Sequence, residues 1–292
     1  RLAASPLTQA GTPLTVGIVQ GNVEQGDKWN PRLADRILED HLRLTRAAVA
    51  RGARYVLWPE SSTPFMIEED PAGREVHRLA RELRVPILVG SDEVRRQPLR
   101  LYNAAHLLGP EGVTEAVYRK RHLVPFGEFI PLKRWLYFVS PLVESLSEFS
   151  PGDDVVLLPM DGHLASTAIC YEVVFPSLVR SAVLKGSELL TTITNDAWYG
   201  ESSAPYQHFA LASMRAVEQG RFLARAANTG ISGVVDPYGR VMQASRIFEQ
   251  VGLVQEVRFL TSRTIYARIG DVVAQAALLL TVLAYVAASR VR

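Results

Sequence analysis

Residues 163–172, HLASTAICYE, carry a short apolar run into Cys170, the only cysteine among 292 residues, and break off at once into Tyr171-Glu172. A run of this length bounded by polar residues reads as a buried strand, so the thiol stands at a strand exit. In α/β sheets ligands gather beyond the carboxyl ends of strands. Two readings of the thiol follow. It is a small hydrophobe closing a gap in the core, the commoner fate of a free cysteine, or a nucleophile held at the mouth of a sheet.

Working outward from this strand, the same pattern recurs. LTVGIVQ (14–20), RYVLW (54–58), PILVGS (86–91) and ELLTTIT (188–194) read as strands, and strand pairs are expected near 101–108 and 113–119. Further strands are expected near 155–158 and 163–169, with ISGVVD and VGLVQEV closing the globular part around the turn DPYGR. Apolar residues at helical spacing predict helices over 31–51, ending at Gly52, over 72–84, after Pro176, and over a long stretch at 205–227. Alternation of strands and helices, with some direct strand-to-strand steps, argues an α/β fold with a mixed sheet.

Composition excludes several classes. A hydrophobic fraction of 48% excludes disorder, and 32 basic against 30 acidic side chains leave a net charge of +2 with no basic stripe for nucleic acid. One cysteine makes no intramolecular disulfide. The six histidines are scattered, without His-x-x-His or Cys-x-x-Cys spacing, so neither a structural metal nor a cofactor is expected. The chain opens at Arg1 with no basic-then-apolar leader, as an excerpt of a longer protein does. Residues 272–289, VVAQAALLLTVLAYVAAS, are uncharged and reach the ~17–25 residues that span a bilayer core. A buried core helix would read the same way. The absence of a polar face at helical period favours the membrane.

Three strand exits gain meaning together. Glu60 in WPESS, Lys120 in YRKRH and Cys170 in STAIC each read singly as ordinary residues: a solvated carboxylate, one member of a basic run, a core thiol. A thiol with an unperturbed pKa of about 8.5 needs a base or a cation to react. A carboxylate beside it takes the proton, and a lysine stabilises the thiolate and the developing oxyanion.

The order and settings of these residues resemble the nitrilase, or carbon–nitrogen hydrolase, superfamily, and within it the apolipoprotein N-acyltransferases. The resemblance runs through VQGNVEQGDKW (19–29), YNAA (102–105), KRHLVPFGEFIP (120–131), ICYEVVFP (169–176), TNDAWYG (194–200), QHFALASMRAVEQGR (207–221) and NTGISGVVDPYGR (228–240). It implies a nitrilase-like α-β-β-α sandwich over 14–262, with 1–13 leading from an upstream membrane domain, 263–271 as linker, 272–289 as the final transmembrane helix and 290–292 as tail. That family carries a multi-helix membrane domain before the catalytic one, and the chain holds only the last span. By position, Glu60 matches the general base, Lys120 the oxyanion lysine, Cys170 the nucleophile and Glu128 a second pocket glutamate. Tyr171 and Glu172 match the pair after the cysteine, and Trp29 and Asn103 fall on further family positions.

The implied reaction moves an acyl chain from the sn-1 ester of a phospholipid, typically phosphatidylethanolamine, through a Cys170 thioester to the α-amino group of a diacylglyceryl-cysteine at an apolipoprotein's N-terminus. The implied setting is the bacterial inner membrane, with the catalytic domain facing the periplasm. Two alternatives stand beside it: a soluble nitrilase-like amidase acting on small C–N substrates, and a non-catalytic, membrane-anchored binding module. The presence of all three triad residues weighs against the second.

The stretch 123–149 gathers Phe126, Phe129, Ile130, Trp135, Tyr137 and Phe138. Such a group either packs on the domain's own core or, exposed, seeks membrane or acyl chains. As a lid over Cys170 it makes a distinct prediction. Removing the aromatic side chains of 135–138 impairs acylation by lipid while sparing alkylation by a small soluble reagent; equal loss of both, measured by intact mass, rejects the lid.

Overall fold

The computed structural model of the chain describes residues 6–130 and 149–290. The elements of its first half are α1 (Pro6–Gln9), β1 (Thr12–Gln20), α2 (Ala34–Ala50), β2 (Tyr55–Leu57), α3 (Gly73–Leu83), β3 (Ile87–Arg96), β4 (Leu99–Leu108) and β5 (Thr114–Arg119). The second half runs β6 (Leu158–Met160), β7 (His163–Ile169), α4 (Pro176–Leu184), β8 (Leu189–Thr194), α5 (Ala204–Gln219), β9 (Leu223–Ala227), β10 (Gly233–Val235), β11 (Val241–Ala244) and β12 (Val251–Phe259). Two further helices follow, α6 (Ile265–Ile269) and α7 (Val272–Arg290).

Alternation along the strands sets the layers. Val16 and Ile18 of β1 and Tyr55 and Leu57 of β2 join one core, while their neighbours Val19 and Val56 join another. This is the period-two signature of a sheet buried on both faces. The shared inner core adds Leu158, Ile169, Leu189 and Ile193 from the second sheet, so the sheets pack face to face. Leu38, Leu42, Val76 and Leu79 of α2 and α3 cover the outer face of the first sheet. Val179, Val183, Phe209 and Ala212 of α4 and α5 cover that of the second. The result is an α-β-β-α sandwich.

Strand order is β12-β1-β2-β3-β4-β5 in one sheet and β11-β10-β9-β8-β7-β6 in the other. In each, a parallel trio (β1-β2-β3 and β7-β8-β9) is flanked by antiparallel strands. β12 crosses back to pair with β1 over its whole length, which ties the two halves together.

Two expectations need correction. The helix expected over 205–227 ends at Gln219, because Gly220 takes a left-handed conformation (φ 61°) and caps it, and 223–227 become the buried strand β9. The sequence LARAA has helical propensity, but burial between two neighbouring strands overrides it. The strand expected near 155–158 lies instead at Leu158–Met160, paired with β7.

α7 stands clear of the sandwich. Its side chains from 272 to 289 are all exposed, and its 19 residues reach about 28 Å at the ~1.5 Å rise of a helix. That matches the ~30 Å of a bilayer core. Among the described residues nothing covers this helix, unlike the buried core helix that the same composition would allow.

One close approach positions the loop after β2. Gly90 of β3 lies under Pro59–Ser62; its carbonyl accepts from Ser62 N (2.8 Å) and Ser62 Oγ (3.0 Å). A Cβ at Gly90 would stand 2.2 Å from the Pro59 carbonyl oxygen and 2.7 Å from Glu60 Cα. Gly90→Ala is therefore expected to cost about 1–3 kcal/mol by overpacking, read as a lower urea midpoint at unchanged slope. An unchanged midpoint would mean that the loop yields freely.

Candidate active site

Three strand exits from the two sheets converge. Glu60 follows β2 through Trp58-Pro59, Lys120 follows β5, and Cys170 follows β7. They line one cavity of about 440 Å³ together with Lys28, Trp29, Asp92, Asn103, Phe126, Glu128 and Asn195. Cys170 has φ 53°, a left-handed conformation rare for a residue with a Cβ.

One ammonium serves two carboxylates. Lys120 Nζ lies 3.2 Å from Glu60 Oε1 and 2.8 Å from Glu128 Oε1. Asn103 Nδ2 donates to the same two oxygens, at 2.7 and 3.0 Å. The far oxygens are also engaged: Asn195 N donates to Glu60 Oε2 (2.8 Å), and Val124 N to Glu128 Oε2 (2.8 Å). Lys28 Nζ donates to the Glu60 carbonyl (3.1 Å).

Burial would raise the Glu60 carboxyl, but Lys120, Lys28 and Asn103 outweigh it and hold the group below its ordinary range. Burial likewise opposes charge on Lys120, yet Glu60, Cys170 and Glu128 keep it protonated well above the usual lysine value. Burial, then Glu60, push the Cys170 thiol up to about 12 against the pull of Lys120. Burial lowers Lys28 to about 8. The resting site is thus carboxylate, ammonium and neutral thiol.

Behind the thiol lies a fully buried support. The Cys170 side chain bonds to the Thr194 hydroxyl, which donates to Asp196 Oδ1 (2.9 Å). Arg225 Nη2 donates to Asp196 Oδ2 (3.0 Å), and His208 Nε2 donates to the Cys170 carbonyl (3.2 Å). Burial and Arg225 keep His208 below its ordinary pKa; its Nδ1 stands 3.0 Å from both Arg225 Nη2 and Asp196 Oδ1.

Glu172 welds two of the strand exits. Its carboxylate accepts from Arg121 N (2.6 Å) and His122 N (3.0 Å), just after Lys120, and from Ile169 N (2.8 Å), just before Cys170. Tyr118 Oη donates to both of its oxygens, at 3.0 and 2.9 Å.

Of the residues singled out in the sequence, Glu60, Lys120, Cys170, Glu128, Asn103, Trp29 and Phe126 meet in the cavity. Glu172 sits beneath it, and Tyr171 lies beside it, edge-on to Phe175. Phe129 lines a neighbouring cavity with Leu101, Leu123 and Phe149. Trp135, Tyr137 and Phe138 lie outside the described residues. Sequence reading passed over Lys28, Asp92, Asn195, Asp196 and His208. Lys28 and Asp196 stand inside motifs quoted above, VEQGDKW and TNDAWYG, where a loop lysine and a loop aspartate read as solvated.

This layering and this arrangement of side chains have counterparts in known proteins. The family model for carbon–nitrogen hydrolase matches residues 15–264, and the chain belongs to that family. An apolipoprotein N-acyltransferase from Geobacter metallireducens is 40% identical over 272 residues, covering 92% of this chain and 52% of that protein. One from Methylococcus capsulatus is 36% identical over 266 residues, covering 90% and 52%. The chain therefore spans about half the length of the curated relatives it matches. An amidase from Nesterenkonia superposes with a TM-score of 0.65 at 22% identity, covering 94% of this chain and 100% of that one. A Saccharomyces cerevisiae member of branch 10 of the nitrilase superfamily gives 0.67 at 18%, covering 87% and 93%. These two establish the nitrilase fold.

The electrostatics predict how the thiol titrates. With Cys170 at about 12, its alkylation by iodoacetamide is expected to climb about tenfold per pH unit between roughly pH 7 and 10, following the thiolate fraction without a plateau. A plateau below pH 8 would reveal a pre-formed thiolate.

Proposed function

We propose that the chain is the catalytic part of an apolipoprotein N-acyltransferase, with Glu60 as base, Lys120 as oxyanion partner and Cys170 as nucleophile. One observation carries the reading: the buried thiol shares a cavity with an ionised carboxylate and an ammonium, in a chain 36–40% identical over nine-tenths of its length to proteins of that name. The amidase structures that share the fold are more distant, at 21–24%. Exposed α7 is read as a span, with 1–13 and 263–271 as linkers to the membrane-embedded parts and the sandwich on the periplasmic face of the inner membrane.

In the first stage Cys170 Sγ attacks the sn-1 carbonyl of a phospholipid such as phosphatidylethanolamine. Its proton passes to Glu60 Oε as the S–C bond forms, and Lys120 Nζ meets the oxygen that gains charge. The ester C–O bond then breaks, Glu60 returns the proton to the departing alkoxide, and a lysophospholipid leaves. In the second stage the α-amino group of a diacylglyceryl-cysteine forms the C–N bond, the C–S bond breaks, and the thiol is restored. Glu128 and Asn103 fix Glu60 and Lys120 in place throughout; Trp29 and Phe126, 50% and 54% exposed at the rim, offer apolar surface to acyl chains.

Intact-mass analysis after incubation with phosphatidylethanolamine vesicles tests this. A fatty-acyl increment is expected on the native chain and none on Cys170→Ala. No increment, with hydrolysis of small amides instead, would establish the amidase alternative.

A further inference from the structure

The cavity holds a third carboxylate that the chemistry above leaves idle. Asp92 of β3 pairs directly with Asn103 of β4, and opposed residues of an antiparallel pair send their side chains to the same face. Both line the cavity. Glu60 and Glu128 are each bound by Lys120, whereas Asp92 forms no ion pair among the described residues and receives only Ser61 Oγ, at a long 3.3 Å. Its partner across the ladder is equally unfilled on one side. Asn103 is 4% exposed and spends Nδ2 on the two glutamates, while its Oδ1 has no donor among the described residues.

Two hydrogen-bond acceptors, the Asp92 carboxyl and Asn103 Oδ1, thus share one face of the sheet at the cavity with a single long contact from Ser61 between them. Leaving such groups unpaired in a buried site is costly, and a small cationic donor satisfies both. A primary ammonium is that donor. It is also what the second stage must admit, because an α-amino group with an unperturbed pKa of about 7.7–8.0 arrives largely protonated at neutral pH. The ammonium has no lone pair with which to attack. Both Glu60 oxygens are already engaged, by Lys120 and Asn103 on one side and Asn195 N on the other. Asp92 is better matched: burial raises it to about 6, with Lys28 opposing and Glu60 and Glu128 adding to the rise.

We propose that Asp92, with Asn103 Oδ1, forms the acceptor subsite, binding the α-ammonium of the incoming amine and taking one of its protons before it attacks the thioester on Cys170. This rests on the acyl-transfer reading. The proton moves to a carboxylate oxygen of Asp92 and the electron pair stays on nitrogen. That pair forms the C–N bond as the C–S electrons return to sulfur. The second proton lost by nitrogen passes through Glu60 to the thiolate, and Asp92 releases its own to solvent.

The test is single-turnover deacylation of the isolated thioester form of the full chain, prepared with phosphatidylethanolamine vesicles. Two acceptors are compared at pH 7: a synthetic diacylglyceryl-cysteinyl peptide, which arrives charged, and hydroxylamine, which is largely neutral. Asp92→Asn is expected to slow transfer to the peptide about a hundredfold relative to transfer to hydroxylamine, with Asp92→Glu recovering part of the loss. Equal slowing with both acceptors, or an unchanged rate with the peptide, overturns the subsite. Absence of any thioester on the native chain overturns the acyl-transfer reading and the subsite with it, whereas a thioester that Asp92→Asn transfers normally overturns the subsite alone.

Discussion

A single buried ammonium holds this site together. Two carboxylates lie within 3.2 Å of the same nitrogen, and like charges gathered in a buried cavity repel unless a cation stands between them. Lys120 removes the conflict, and the Asn103 amide, donating to the same two oxygens, shares the task. The arrangement leaves Glu60 charged and Cys170 uncharged at rest. Stripping one partner from such a group typically costs about 3–5 kcal/mol, because an uncompensated charge stays behind. Glu128 therefore belongs to the same unit as Glu60 and Lys120: both carboxylates hold the one ammonium.

The backbone must bring that unit together from two sheets, and the buried carboxylate of Glu172 does so. Its oxygens collect N–H groups from the residues that follow Lys120 and from the residue that precedes Cys170. Each strand exit leaves backbone donors with no ladder partner, and a carboxylate satisfies several at once. Holding Cys170 at φ 53° costs of order 1–3 kcal/mol. The His208 contact to its carbonyl and the Thr194 contact to its sulfur over-determine that geometry. The strain is thus supported from the fully buried Asp196–Arg225 pair, away from the cavity.

Much of this is legible in the sequence because it depends on strand ends. Apolar runs that stop at Pro59-Glu60, at Lys120 and at Cys170 mark both the strands and the residues beyond them, and the order of the motifs points to the sandwich. What is not legible depends on pairing across the sheet. Asp92 lies within a strand beyond its apolar part, and only its register with Asn103 turns it toward the cavity. Lys28 sits in a loop whose path no periodicity describes. The helix expected through 227 fails for a related reason, since only the neighbouring strands of the second sheet decide that LARAA is extended.

The high thiol pKa bears on which acceptor can win. A pre-formed thiolate would react with any electrophile that reached it. A thiol at about 12 opposite an ionised carboxylate gives up its proton only as bond formation proceeds and an oxyanion develops for Lys120 to meet. On the proposed acyl-transfer reading, activation follows the arrival of an ester carbonyl in position. A cavity of about 440 Å³ is the size that takes a small ligand, so on the acyl-transfer reading proposed above the acyl chains of a lipid extend from its rim, along the exposed Trp29, Phe126 and Trp198. Chains lying there cover the mouth and exclude water, which is what a thioester awaiting an amine requires. On this reading the substrate itself supplies part of the barrier to its own hydrolysis.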